Sequence, residues 1–476
     1  MAVESFACAT HTNPMKHTQT PTVGTIFTAL ACLLAMHSFA QSTGDYQSAG
    51  TGDWTTASTW QIFDGSSFVA APSTPESSDG VITIRANHIV TQGGNITVDQ
   101  VVVQVAGSLI HNGGVLTLLD GTGTDLSVEG TWSMSGGTLA GPGTAQTSNG
   151  GSFNWSGGVL GTTAVVNIGT GGSATFNGPG QLEARGTINN AGTVTMIGGG
   201  ITGGPSQPAT FNNLPNAVVD LNGWTINATP WAMVTNNQGT FNKNNGTVPF
   251  TFGNDFSGKA FNNLAGGVLN VAAGECVFSL PTTNEGSMTG GAGSLIKVDG
   301  SSSGGFFTNQ PGGAVSTAFH LVSSNLNLNA PLTLGTFTLS GGGVNGPAAI
   351  TIPNGGSFTW TGGFLGTTTA VNIGTGASAT FNGPGQLEAR GTINNAGTVT
   401  LSGGGLTGGP NQPATFNNLP NAVVDLNGWT TSATPWAMVT NNQGTFNKNN
   451  GTVPFTFGND FSGKAFNNLA GGVLNV

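Results

Sequence analysis

Short runs in which apolar and polar residues alternate recur along most of the chain, as in Val81-Ile82-Thr83-Ile84 and Thr193-Val194-Thr195-Met196. A period of two puts the apolar side chains on one face of an extended backbone, so these runs predict short, half-buried β-strands. After Ala40 no stretch carries the 3.6-residue periodicity of an amphipathic helix. Two turn spellings separate the runs. One reads Phe or Ile, then Asn-Asn, then Gly or Ala before the next apolar residue: "INNAGTVT" from Ile188, "FNNLPNAVVDL" from Phe211, "FNKNNGTVPF" from Phe241 and "FNNLAGGVLNV" from Phe261. The other ends a strand in Ser/Thr-Gly-Gly: "WSMSGGTL" from Trp132, "FNWSGGVL" from Phe153 and "FTLSGGGV" from Phe337. The steps are 21 residues from Trp132 to Phe153, 23 from Ile188 to Phe211, 30 to Phe241 and 20 to Phe261.

Strands this short, returning every twenty residues or so, predict an all-β fold: a right-handed parallel β-helix with an N-terminal β cap. One coil cannot bury its apolar side alone, whereas coils stacked at about 4.8 Å per rung build a continuous core. Asparagines at equivalent turn positions can then bond to the rungs above and below. A string of β-sandwiches is the rival, but it needs longer strands and a larger aromatic core than the 8% of aromatic residues here.

A longer period lies over the short one. "GGSFNWSGGVLGTTAVVNIGTG" from Gly150 returns as "GGSFTWTGGFLGTTTAVNIGTG" from Gly355, and the copies stay in step at an offset of 205 residues. Trp155 falls on Trp360, Glu183 on Glu388, Arg185 on Arg390, Trp224 on Trp429 and Val271 on Val476, with about nine residues in ten identical. Each unit should supply nine or ten coils. The second copy stops in mid-pattern at Val476, where the first runs on into "AAGECVFSL". A fragment of a longer protein, or an abrupt end, is therefore expected. The organisation read from these signals is a signal peptide over 1–40, a cap region over 41–106, a first long solenoid repeat over 107–271 and a second over 272–476.

The leader assignment rests on Lys16, the apolar run "VGTIFTALACLLAMHSFA" and the Ser38-Phe39-Ala40 cleavage signal. The run is too short for a membrane span, so the mature chain is expected to have no transmembrane segment and to be secreted, outside the cell or on its surface. Cys32 lacks the leucine three residues before it that a lipoprotein cysteine would have. Beyond the leader Cys276 is the one cysteine, which excludes an intramolecular disulfide. Charged residues make up 6% of the chain and the net charge is −10. Lysines and arginines are scattered, which argues against a nucleic-acid partner.

Candidate chemistry is thin. Glu183 and Arg185, repeated as Glu388 and Arg390, share a strand face and could be an acid beside a cation in a polysaccharide-cleaving enzyme. A surface ion pair is the plainer reading, and duplication favours it. Asp120, Asp125 and Glu129 in "LDGTGTDLSVEG" offer oxygen ligands on a glycine-rich turn, which makes calcium the one candidate ion; otherwise no cofactor is expected. His88, His111 and His320 are isolated and lack metal-ligand spacing. Trp224 and Trp231, repeated as Trp429 and Trp436, could stack on sugar rings, or could staple a loop to the coil from within.

The segment "TGDWTTASTWQIFDG" and the strands after it resemble the opening of many large secreted Bacteroidetes proteins. They are also similar to the eight-glycine β-domain of extracellular proteins. Asp53, Trp54, Trp60, Asp79, Val81, Ile84, His88, Val98 and Leu109 carry the resemblance, over roughly Gly50 to Gly114. It implies an N-terminal cap leading into an adhesin-like solenoid, and outer-membrane export, often by the type IX system. The sorting domain that goes with that route is not visible. The expected function is that of a structural or adhesive cell-surface repeat protein, non-catalytic, with extracellular glycans or surface proteins as partners. A β-helical polysaccharide hydrolase or lyase is the alternative, and a passive spacer the second.

Overall fold

The computed structural model describes residues 41–476 apart from 205–208, 223–230, 245, 254–257, 301–304, 410–413, 428–435, 450–451, 453–454 and 458–463. The described residues form strands and turns, with a single 3-10 turn at Ala57–Thr59. They build a parallel β-solenoid of about 16 turns, the fold the strand and turn pattern predicts.

Each coil runs through three faces. In one coil Val165–Ile168 lies on the first face, Ser173 to Phe176 on the second and Leu182 to Ala184 on the third. Strands pair parallel with their equivalents in the next coil: Val165–Ile168 with Thr187–Asn190, then with Thr210–Asn213 and Val234–Asn237. Four long strands, Thr131–Ala140, Ser152–Leu160, Ser173–Ala184 and Thr193–Gly203, bend around the corner from the second face to the third, with a register shift at the bend. Alternation does the rest. Inward residues such as Val166, Ile188, Phe211 and Phe261 are buried, while their strand neighbours face water.

The core holds a run of aromatic rings. Trp132 stacks on Phe153 at 4.1 Å between centroids, Phe252 on Phe278 at 5.2 Å, and Phe337 on Phe358 at 5.1 Å. Equivalent apolar residues fall on one another because parallel in-register pairing repeats the same inward position at each rung. Tight corners exclude side chains. At Gly151 a Cβ would collide with the carbonyl of Val128 in the coil before. Where a corner needs a left-handed residue and glycine is absent, asparagine supplies it: Asn216 has φ 67° and its repeat Asn421 has φ 66°.

The N-terminal end is closed by a hairpin. Tyr46–Ser48 pairs parallel with Ile82–Ile84 and antiparallel with Trp60–Phe63, which pairs in turn with Phe68–Ala70. This covers a first-face edge that would otherwise present unpaired backbone groups. Trp54 and Trp60 seal it edge to face at 4.8 Å, with the Trp60 indole donating to the Trp54 carbonyl at 2.9 Å. Three-sided coils are already present at Ile82–Val98 and Val101–Leu118, so solenoid geometry begins ahead of residue 107.

The long repeat is not a whole number of coils. Nine coils on from Thr187–Asn190, the first face is occupied by Leu387–Ala389, and the copy of Thr187–Asn190, Thr392–Asn395, lies one strand further on, on the second face. The whole second copy is displaced in this way. Phe153 lies on the second face and Phe358 on the third; Leu182 lies on the third and Leu387 on the first.

Candidate functional site

Asparagine supplies the most extensive side-chain organisation. Along the first-face corner Asn190, Asn213, Asn237, Asn263, Asn284 and Asn309 are fully buried and stacked rung on rung. Each amide from Asn190 to Asn237 donates to the next side-chain oxygen at 2.8 Å and to a backbone carbonyl of the second face, Val218, Thr240 or Val268. Burying an amide is unfavourable unless its groups are bonded, so the ladder exists because parallel register brings the same residue back at each rung. A second ladder faces outward, one residue earlier in the chain than the first. Asn189 donates to Asn167, Asn212 to Asn189, Asn236 to Asn212 and Asn262 to Asn236, all at 2.8 or 2.9 Å. The second copy repeats both ladders one face later, through Asn395, Asn418 and Asn442 inside and Asn372, Asn394, Asn417, Asn441 and Asn467 outside.

The residues singled out for chemistry fall differently. Arg185 Nε lies 2.6 Å from Glu183 Oε1, and Arg390 Nε 2.8 Å from Glu388 Oε1. Both are ion pairs on outer surfaces between a strand glutamate and the arginine just past the strand's end. In the second copy the Arg390 guanidinium also lies 4.5 Å from the centre of the Phe364 ring. The Glu388 carboxylate holds the Arg390 guanidinium above its ordinary pKa.

The tryptophans split. Trp231 and Trp436 are buried in the core, with each indole N–H donating to a threonine, Thr235 at 2.8 Å and Thr440 at 2.7 Å. They cannot present a ring to a sugar, which corrects the glycan-binding reading for these two. The cause is alternation: each is the inward residue of a short strand against Phe211 or Phe416. Trp224 and Trp429 lie outside the described residues.

The acidic turn residues do not converge. Asp125 is buried, and its two carboxylate oxygens accept from the backbone N–H groups of Gly121 at 3.1 Å and Thr144 at 2.6 Å. Glu129 accepts from Asn149 at 3.2 Å at a different corner, and Asp120 is exposed. Among the described residues no three His, Cys, Asp or Glu side chains gather into a set that could hold a metal ion.

Two buried polar groups were not foreseen from sequence. His111 sits at an inward position of the second face, in register with Gln92 on one side and Met134 on the other. Burial pushes its imidazole down to about 4, against the opposing pull of the Gly113 and Gly114 backbone. Lys243 occupies the equivalent inward position further along. Its Nζ donates to the carbonyls of Gly246 at 2.8 Å and Ala273 at 2.6 Å, and burial lowers its pKa. In sequence Lys243 reads as one more polar residue in "FNKNNG"; only the register of Phe241 as an inward residue would have placed it inside. Cys276 is buried, and burial pushes its thiol up to about 12, leaving it an inert core residue.

Among the described residues no helix is long and apolar enough to cross a membrane. Compared with known families and curated proteins, the sequence matches neither a family nor a curated relative.

Proposed function

We propose that the chain is an exported structural or adhesive surface protein, whose repeated part acts without catalysis by presenting regular polar columns to glycans or to other surface proteins. The observation that carries this reading is the outward asparagine ladder, built twice from the same sequence on two faces of one solenoid. Repetition of a weak contact raises overall binding without any new chemistry. The Glu–Arg pairs, repeated and bonded to each other, favour this over a duplicated hydrolytic or lyase site. Export is supported by the leader up to Ala40 and is tested by sequencing the N-terminus of protein recovered outside the cell.

Adhesion is tested by replacing Asn189 and Asn212 with Asp, then also Asn394 and Asn417, and measuring retention on immobilised neutral polysaccharides and surface-protein extracts. Stepwise loss, much larger for the fourfold variant, is expected. Retention unaffected by either set would discard adhesion through these columns and leave the spacer reading.

A further inference from the structure

Where charges are sparse, their gathering is informative. On the third face, from Val277 to Thr338, an outward column runs Val277, Lys297, His320, Thr338 in strict register. Glu275 precedes it on the same face and Asp299 follows Lys297, where its carboxylate accepts from Ser323 at 2.7 Å. Lys297, Glu275 and Asp299 all act electrostatically on the His320 ring. Beyond Thr338 the chain places Ser340 so that its Oγ lies 2.8 Å from His320 Nε2.

We propose that Ser340 and His320 are a nucleophile and its general base, cleaving acyl esters carried on a polymer laid along this open face. This goes beyond the repeat-based reading, because it concerns a site that occurs once. A hydroxyl and a base in hydrogen-bond reach is the arrangement that activates serine. The imidazole must be unprotonated at Nε2, and burial together with the Lys297 cation holds it below its ordinary pKa. Ser340 Oγ is also 3.4 Å from the Leu321 carbonyl, a longer alternative for its proton than the imidazole. In the step itself, the Oγ proton passes to Nε2 as Oγ bonds to the acyl carbon. The ester C–O bond then breaks, and the alcohol leaves with the proton from the imidazolium. Water attacks the acyl-serine by the same route in reverse, releasing the carboxylic acid and restoring Ser340. Lys297 lies one rung from His320, on the side away from the strand that leads to Ser340, and acts on the imidazole by its charge.

The molecule contains its own control. Ser135 stands 205 residues before Ser340, but the rung partner of Ser133 is Ile110, where that of Thr338 is His320. The full chain is treated with a fluorophosphonate and the labelled peptide identified, and p-nitrophenyl acetate hydrolysis is followed from pH 4 to 9. Labelling at Ser340 and not Ser135 is expected, with hydrolysis reduced about 100-fold or more in Ser340→Ala and His320→Gln. The acid limb should lie below the ordinary imidazole value and move up in Lys297→Met, which removes a charge that disfavours protonation. Equal labelling of both serines, no hydrolysis above buffer, or loss in His320→Gln with full activity in Ser340→Ala would each overturn the proposal; the last would mean that the imidazole attacks unaided.

Discussion

The two copies of the long repeat spell nearly the same residues and fold to the same ladders, yet they occupy different faces of the solenoid. Asn213 is inside a first-face corner and Asn418 inside a second-face corner, and the bonds around them match. Asn213 donates at 2.8 Å to Asn237 and at 3.3 Å to the Thr240 carbonyl; Asn418 donates at 2.8 Å to Asn442 and at 3.3 Å to the Thr445 carbonyl. A face of this solenoid therefore has no chemical identity of its own. The local order of strand, corner residue and glycine determines what each segment becomes, and the position around the axis follows from how many strands came before.

The largest effect that could break this equivalence lies in the buried ladder. Asn213→Ala removes two donated bonds and the acceptor for Asn190, in an apolar interior, and Asn418→Ala does the same for Asn395. At about 1 kcal/mol per bond, more where a buried partner is left unsatisfied, each should cost roughly 3 kcal/mol. A long solenoid need not unfold in one step, so local amide hydrogen exchange is the proper measurement. The two losses should agree within about 1 kcal/mol. A much smaller cost at Asn418 would mean that the face does matter.

Acid separates both copies from what precedes them. Neither of the matching stretches, 130–271 and 335–476, contains a histidine, whereas His111 is buried in the coils before the first of them. Its folded pKa, about 4, lies below the ordinary 6.5. The unfolded chain therefore takes up a proton that the folded chain refuses as pH falls below 6.5. Stability is unaffected above that value and declines toward pH 4, by about 3 kcal/mol in all. Hydrogen exchange should show this loss in coils around Leu109–His111, absent in His111→Leu, with the corresponding segments of the two copies unaffected by the substitution. An equal acid response in His111→Leu would assign the effect to carboxylates instead.

How much of this could be read beforehand follows from what is local. Alternation in Thr193–Met196, the Asn-Asn corners and the 205-residue offset are local features, and from them came the parallel β-solenoid and its stacked asparagines. The displacement by one face was not legible. It depends on counting strands across nine coils, and "SMSGGTLA" gives no sign that one continuous strand will turn a corner and serve two faces. The tryptophans were ambiguous for a related reason. The sequence before Trp231 shows no apolar–polar alternation, so its inward direction is set by pairing with Ile201 and Phe252 in neighbouring coils. The meeting of His320 with Ser340, and of Lys297 with His320, is a matter of register between strands about twenty residues apart, which sequence spacing alone does not display.

Where the copies differ, they differ in concert. Thr138 stands rung to rung with Val159 in the first copy, and Gly343 with Phe364 at the same places in the second. A Cβ on Gly343 would run into the Phe364 ring, so the small residue makes room for the large one. Gly343→Thr, which restores the residue of the first copy, should therefore destabilise by about 1–3 kcal/mol through overpacking. The double change Gly343→Thr with Phe364→Val should recover most of that, and the recovered part measures the coupling of the two sites. If the single and double variants were equally unstable, the paired substitution would be coincidental.

The smallest difference follows from the same ring. Arg185 and Arg390 each pair with a glutamate two residues before, but only Arg390 has an aromatic face beneath it, 4.5 Å away. A surface ion pair is worth between nothing and about 1 kcal/mol, and an exposed cation over a ring adds about 0.5–1 kcal/mol. Arg390→Ala should thus cost more than Arg185→Ala by about that second amount. In the Phe364→Val background the difference should vanish, because Val159 already occupies the equivalent position in the first copy. Salt offers an independent handle, since screening should weaken the contribution of either ion pair in a similar way. If the excess cost at Arg390 survived removal of the ring, it would belong to the second bond that Arg390 makes, from Nη2 to Glu388 Oε2 at 3.1 Å, and not to the aromatic contact.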